Sequence, residues 1–215
     1  MGFSVKGEWL SDAVWKRTDQ GAFVRDESVF RQGFSDALGS QFAIEGERYH
    51  LYVSDACPWA HRVMIVRHLF GLETFLPTSH VHPLMLEEGW VFGGPYVDGV
   101  FGSRKLHEIY LRADSGYTGR VTVPILFDTK HETIVNNESS EIIRMLNRFA
   151  PRTKNRDLDL YPSHLHSEID RWNARIYSHL NNGVYRCGFA TSQEAYEAAV
   201  EPLFELMTTL NTHLN

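Results

Sequence analysis

The rhythm of apolar and polar positions changes several times along the chain. Over residues 1–46 short apolar stretches alternate with Gly, Ser and charged residues. Trp9, Trp15, Phe23, Phe30, Phe34 and Phe42 recur there without a sustained period, which predicts a long extended arm laid over a core. Residues 48–54 are rich in aromatic and β-branched types and end at Ser54-Asp55, the signature of a strand. Pro58 then opens a helix in which Trp59, Val63, Val66 and Phe70 share one face and Gly71 is the stop. Residues 74–81 can supply a second strand. The stretch 83–102, with seven Gly or Pro residues among aromatics, predicts a draped loop, and 105–113 a short helix. Residues 121–128 and 133–135 read as a hairpin. Asn136 or Asn137 is expected to cap a helix over 138–148, whose Glu138 suits the first turn. The order is βαβαββα.

The polar run 151–157 breaks this pattern and is the best linker candidate. Beyond it, Leu165, Ile169, Trp172, Ile176 and Leu180 fall at helical spacing and predict a helix over 164–181. Thr191-x-x-Glu194 reads as a capping box for a last helix running toward Leu210. Pro202 lies inside that helix, where a lost hydrogen bond costs roughly 3 kcal/mol, so a bend is expected. The parts are an N-terminal extension over 1–46, an α/β domain over 47–150, and the start of an all-helical domain over 158–215.

At 215 residues, 43% hydrophobic and 22% charged, the chain has material for a packed core and no compositional case for disorder. The net charge of −6 is spread out and the basic residues form no run, which argues against nucleic acid and for a small ligand. No stretch reaches the ~18–20 continuous apolar residues of a membrane helix, and no signal-peptide core follows Met1, so a cytoplasmic protein is expected. His80-x-His82 and His164-x-His166 lack zinc spacing, and no metal is expected.

Two cysteines far apart in sequence make no disulfide framework. Cys57 falls at the predicted strand-to-helix junction, before Pro58. A sulfur there faces unpaired helix N–H groups and the positive end of the helix dipole, which favour the thiolate; the bland alternative is an inert small hydrophobe. In a dithiol motif the fourth position is a second Cys that attacks the mixed disulfide from within, but here the run is Cys57-Pro58-Trp59-Ala60. A covalent intermediate on Cys57 must be cleared by an outside thiol, and glutathione is the abundant cytosolic one. Cys187, beside Gly188 at a helix boundary, reads as a spectator.

A glutathione site needs an extended backbone edge and donors for a carboxylate. Val123-Pro124, if cis, can offer the Val123 N–H and C=O. Glu138 can accept from the peptide's ammonium, while Ser139 and helix N–H groups donate to the carboxylate. Taken singly, a turn proline and an ordinary capped helix explain these residues equally well.

Together they resemble one family, the glutathionyl-hydroquinone reductases or xi-class glutathione transferases. The runs that carry the likeness are 48–54, Cys57-Pro58-Trp59-Ala60-His61-Arg62, 88–92, 119–124, 136–144, 181–185 and 188–193, in the family's order from Arg48 onward. The resemblance implies an α/β thioredoxin-like domain followed by an all-α glutathione-transferase-type C-terminal domain, incomplete here because family members continue past this length. It implies that Cys57 attacks the sulfur of a glutathionyl-hydroquinone and is released by a second glutathione. By motif, Trp90, Arg120, Val123, Glu138 and Ser139 would hold glutathione, Tyr185 would face the aromatic conjugate, Pro124 would be the structural cis-proline, and a homodimer is expected. Two other readings stand beside it: an omega-like cysteine transferase acting on small disulfides or dehydroascorbate, and a catalytically silent binding module with the same fold.

Overall fold

The computed structural model describes residues 2–11, 15–35, 40–149, 155 and 157–215. Most of the linker candidate 151–157 therefore lies outside the described residues. The chain forms two compact units, Met1–Ala13 with Ser28–Leu160, and Val14–Glu27 with Tyr161–Asn215.

In the first unit a four-stranded sheet runs β4-β3-β6-β7, made of β3 Tyr49–Val53, β4 Thr78–His80, β6 Ile125–Asp128 and β7 Thr133–Asn136. β3 is parallel to β4 and antiparallel to β6, and β6 and β7 form the antiparallel hairpin, with a bulge between Leu126 and Phe127. All five residues of β3 are buried, as expected of a strand covered on both faces. α1 (Pro58–Leu69) packs against α3 (Ser139–Asn147), while α2 (Leu106–Ala113) lies against β7. From α2, Leu106, Ile109 and Tyr110 are fully buried; each apolar side chain of this size contributes roughly 1.5–3 kcal/mol by leaving water. This is the expected βαβαββα order, a thioredoxin-like fold.

Several local expectations differ. Only the end of 74–81 is a strand. Its first half continues the turn after α1, with Leu76 N–H donating to Leu72 O at 2.8 Å, because that i, i+4 spacing buries both leucines. The α3 helix is capped not by Asn136 or Asn137 but by Glu138, whose carboxylate accepts from Ser140 N at 3.2 Å; Asn136 instead accepts from Glu138 N at 2.7 Å. The N-terminal arm is partly folded. β1 (Phe3–Val5) and β2 (Glu8–Leu10) form a hairpin about Lys6 and Gly7, both at positive φ (49° and 86°), as a two-residue turn matched to strand twist requires. β1 also pairs with β5 (Gly119–Arg120), giving a second sheet in the order β2-β1-β5. A Cβ on Gly2 would come within 1.7 Å of the Trp9 ring.

In the second unit the expected 164–181 helix is divided. A 3₁₀ turn (Ser163–Leu165) leads into α4 (His166–Ile176), then a π-helical turn (Tyr177–Asn181) closed by Asn182 N–H to Tyr177 O at 2.8 Å, and α5 (Gly183–Gly188). The Asn181-Asn182-Gly183 run, poor in helix propensity, sits at the break. α6 (Gln193–Leu214) runs through Pro202. Its cap is Ser192, not Thr191: Ser192 Oγ accepts from Ala195 N at 3.1 Å, whereas Thr191 N–H is spent on Gly21 O at 3.0 Å, so the box shifts by one residue.

Candidate active site

The site is assembled where β3 hands over to α1. Cys57 is the N-cap of α1, in extended backbone conformation, with Pro58 at the first helical position. Its C=O accepts from His61 N at 2.9 Å and starts the helix. The thiol, half-buried, donates to Val123 O at 3.4 Å. The Val123–Pro124 peptide bond is cis. Cys57 and Val123, 66 positions apart, are thus brought together by the β3–β6 pairing. Ala60, at the position of a resolving thiol, is fully buried in the core.

One turn into α1, Arg62 reaches α3. Its Nε and one terminal nitrogen donate to Ser139 Oγ at 3.0 and 2.7 Å, and the guanidinium lies 3.7 Å from the Glu138 carboxylate. Ser28 Oγ donates to Glu138 from the other side at 3.3 Å. With both lone pairs of the Ser139 hydroxyl engaged by Arg62, that hydroxyl can act toward a ligand only as a donor.

Behind these residues stands Tyr110. Its hydroxyl donates to Thr122 O at 3.0 Å and accepts from Thr122 N at 3.2 Å and Asn137 Nδ2 at 3.1 Å. Burial pushes its pKa up, so it stays a neutral phenol that ties the backbone before Val123 to the residue before Glu138.

Trp90 and Arg120 belong to the same unit. Trp90 is half-buried against the core, its C=O accepting from Leu106 N at 2.9 Å. Arg120 lies on β5, its guanidinium 5.8 Å from the centre of the Phe3 ring. Tyr185 belongs to the second unit, in an aromatic cluster with Phe23 and Phe189, the Arg25 guanidinium 4.3 Å above its ring. Cys187 is also there; burial raises its pKa, which suits a spectator. Neither cysteine forms a disulfide. Among the described residues no group of three or more His, Cys, Asp or Glu could hold a metal ion, and no helix is long and apolar enough to cross a membrane.

Arg62 and Tyr110 were not singled out from the sequence. Arg62 carried a signal, since it lies five residues after the cysteine and one turn along the same helix. Tyr110 carried none beyond its place in a short amphipathic helix.

Comparison with known proteins decides the family. The glutathione S-transferase N-terminal domain family matches residues 56–148. Glutathionyl-hydroquinone reductase PcpF of Sphingobium chlorophenolicum is 48% identical over 217 residues, covering 100% of this chain and 68% of that protein. This chain belongs to the glutathionyl-hydroquinone reductase family. The family member YqjG of Escherichia coli (strain K12) is 46% identical over 98% of this chain and 67% of its own length. Glutathione S-transferase omega-like 2 of Schizosaccharomyces pombe is 47% identical over 89% of this chain and 63% of its own. Among solved structures, the glutathione-S-transferase Xi from Phanerochaete chrysosporium superposes with a TM-score of 0.88 at 45% identity, covering 93% of this chain and 66% of that one. The glutathione-bound structure of YqjG gives 0.82 at 44%, covering 98% and 66%. The chain thus spans about two thirds of the length of the reductases it matches.

Proposed function

We propose that this protein reduces glutathionyl-hydroquinones to hydroquinones at the expense of glutathione, through a mixed disulfide on Cys57. The observation that carries the reading is Cys57 at the N-cap of α1, against the Val123 carbonyl, with Ala60 where a resolving thiol would stand. In the first step the Cys57 thiolate attacks the sulfur of the conjugate; the S–S bond to the glutathionyl group forms, the sulfur–ring bond breaks, and the departing ring takes up a proton to become the hydroquinone. In the second, the thiolate of another glutathione attacks the mixed disulfide, releasing glutathione disulfide and the Cys57 thiolate. The helix N-terminus favours that thiolate both as nucleophile and as leaving group.

Glutathione is held in both steps. Its cysteinyl unit would pair with the Val123 backbone, its ammonium with Glu138, and its carboxylate with Ser139, which Arg62 turns into a donor. Trp90 and Arg120 would complete the grip, and Tyr185 would meet the aromatic ring. The names of PcpF and YqjG, and the glutathione in the YqjG structure, support the substrate class.

The test is mass spectrometry of the protein mixed with a glutathionyl-hydroquinone, before and after added glutathione. A single glutathione adduct on Cys57 that disappears with the second thiol is expected, and Cys57→Ala should form none. The omega-like name of the fission-yeast relative favours a second reading, a general thiol transferase. Turnover of small disulfides or dehydroascorbate with no adduct from the conjugate would select it.

A further inference from the structure

Two of the proposed glutathione contacts, Trp90 and Arg120, stand on short pieces of chain with little regular structure of their own. The turn before Trp90 is closed by Gly89 N–H to Leu86 O at 2.9 Å, and Leu86, Glu87 and Glu88 are exposed. Arg120 sits on a strand of two residues, too short to hold itself. Both pieces are held by the same N-terminal hairpin. On β1, Phe3 pairs with Arg120 and Ser4 with Gly119. On β2, the Trp9 indole Nε1 donates to Glu87 O at 3.1 Å, and its ring lies so close beneath Gly89 that a Cβ there would approach it to 2.6 Å. Gly89 has a φ of +70°, so a side chain is excluded by backbone conformation as well as by the ring. The indole is itself fixed: it lies 5.2 Å from the His107 ring, and His107 bonds Ser4 Oγ at 3.2 Å.

We infer that Trp9 is a positioning residue of the glutathione site, acting through the Glu87–Gly89 turn to set Trp90 while its hairpin sets Arg120. The inference rests on the reading of Trp90 and Arg120 as glutathione contacts. The hairpin lies outside the four-stranded sheet, and its strand pairing is spent on the residues that carry Arg120. The indole's hydrogen bond and ring contact go to Glu87 and His107 rather than to β3, α1 or Cys57, so removing it should chiefly free the turn that leads into Trp90.

The experiment compares Trp9→Ala, Trp9→Leu and Trp9→Phe with wild type in three readouts: KM for glutathione, kcat at saturating glutathione, and the rate of Cys57 alkylation by iodoacetamide, which needs no glutathione site. Trp9→Ala should raise KM about tenfold with kcat within about twofold, while alkylation is unchanged and Trp9→Phe recovers most of the loss. Trp9→Leu, which keeps apolar bulk without the Nε1 donor, should fall between them and serves if the alanine variant does not fold. An unchanged KM, or a fall in alkylation rate in step with KM, overturns the inference. Trp90→Ala and Arg120→Met separate it from its premise. If they raise KM and the Trp9 variants do not, Trp9 alone is wrong; if neither raises KM, the assignment of Trp90 and Arg120 is wrong and the inference falls with it.

Discussion

Arg62 gives two hydrogen bonds to one oxygen, the hydroxyl of Ser139, across 77 positions of sequence. A cation spent on a neutral oxygen polarises it and aims its proton. Arg62→Met should therefore act as a glutathione-binding mutation, raising KM by about 10- to 100-fold, the range for losing a hydrogen bond to a charged group. Ser139→Ala should cost a similar amount, and the double variant little more, because both remove one device. Losses that simply multiply in steady-state kinetics would show that the two residues act independently.

His50 faces the core from β3, 5% exposed, with Nε2 bonded to Ser79 Oγ at 2.8 Å. Burial lowers its pKa from 6.5 to about 4. The folded state thus holds fewer protons on this group than the unfolded chain does. Its contribution is complete above pH 6.5 and is lost as pH falls from there toward 4, for a total of about 3 kcal/mol. Urea denaturation at pH 7 and pH 4.5 should show that loss, and His50→Gln should flatten it. An equally steep acid limb in the variant would place the proton elsewhere.

Arg48 and Asp128 form a buried bidentate pair, Nε to Oδ1 at 2.9 Å and the second nitrogen to Oδ2 at 2.5 Å, across the start of β3 and the end of β6. Burial alone would raise the Asp128 pKa, but hydrogen bonds from Arg48, His131 and Lys130 N outweigh it and hold the carboxyl below its ordinary range. Arg48→Met leaves that buried charge without its guanidinium partner and should destabilise the first unit by about 3–5 kcal/mol, whereas Arg48→Met with Asp128→Leu should recover much of the loss. Denaturant midpoints of the two variants that coincide would contradict this.

Ser192→Ala should lower stability of the second unit by about 1 kcal/mol and fray the start of α6, since Ser192 Oγ both accepts from Ala195 N and donates to Gln20 O at 2.8 Å. Thr191→Ala removes only a 3.3 Å contact to Gly21 O and should do less. Amide exchange at Ala195 reads the difference; lower protection in Thr191→Ala than in Ser192→Ala would return the cap to Thr191.

What the sequence made legible follows from how far each signal reaches. The five-residue run of β3 and the Pro58-to-Gly71 punctuation of α1 are local and strong, so strand, cysteine and helix could be placed together. The N-terminal hairpin was missed because three-residue strands carry almost no period; its one signal is Lys6-Gly7, a pair able to take positive φ between two β-prone triplets. At α3 the Asn136-Asn137 pair offers two cap candidates just ahead of Glu138, and only the tertiary contacts of Ser28 and Arg62 with Glu138 show how its neighbourhood is used. Arg62 itself reads as the solvated side of a helix, because the partner that gives it meaning stands on α3.

The packing of Trp9 onto Gly2 bears on how the protein should be handled at the bench. Any residue other than glycine at position 2 pushes a methylene into the indole. A cloning scar or protease remnant that replaces Gly2 would shift the ring lying under Gly89. Preparations in which Gly2 is replaced should bind glutathione more weakly than those that keep it.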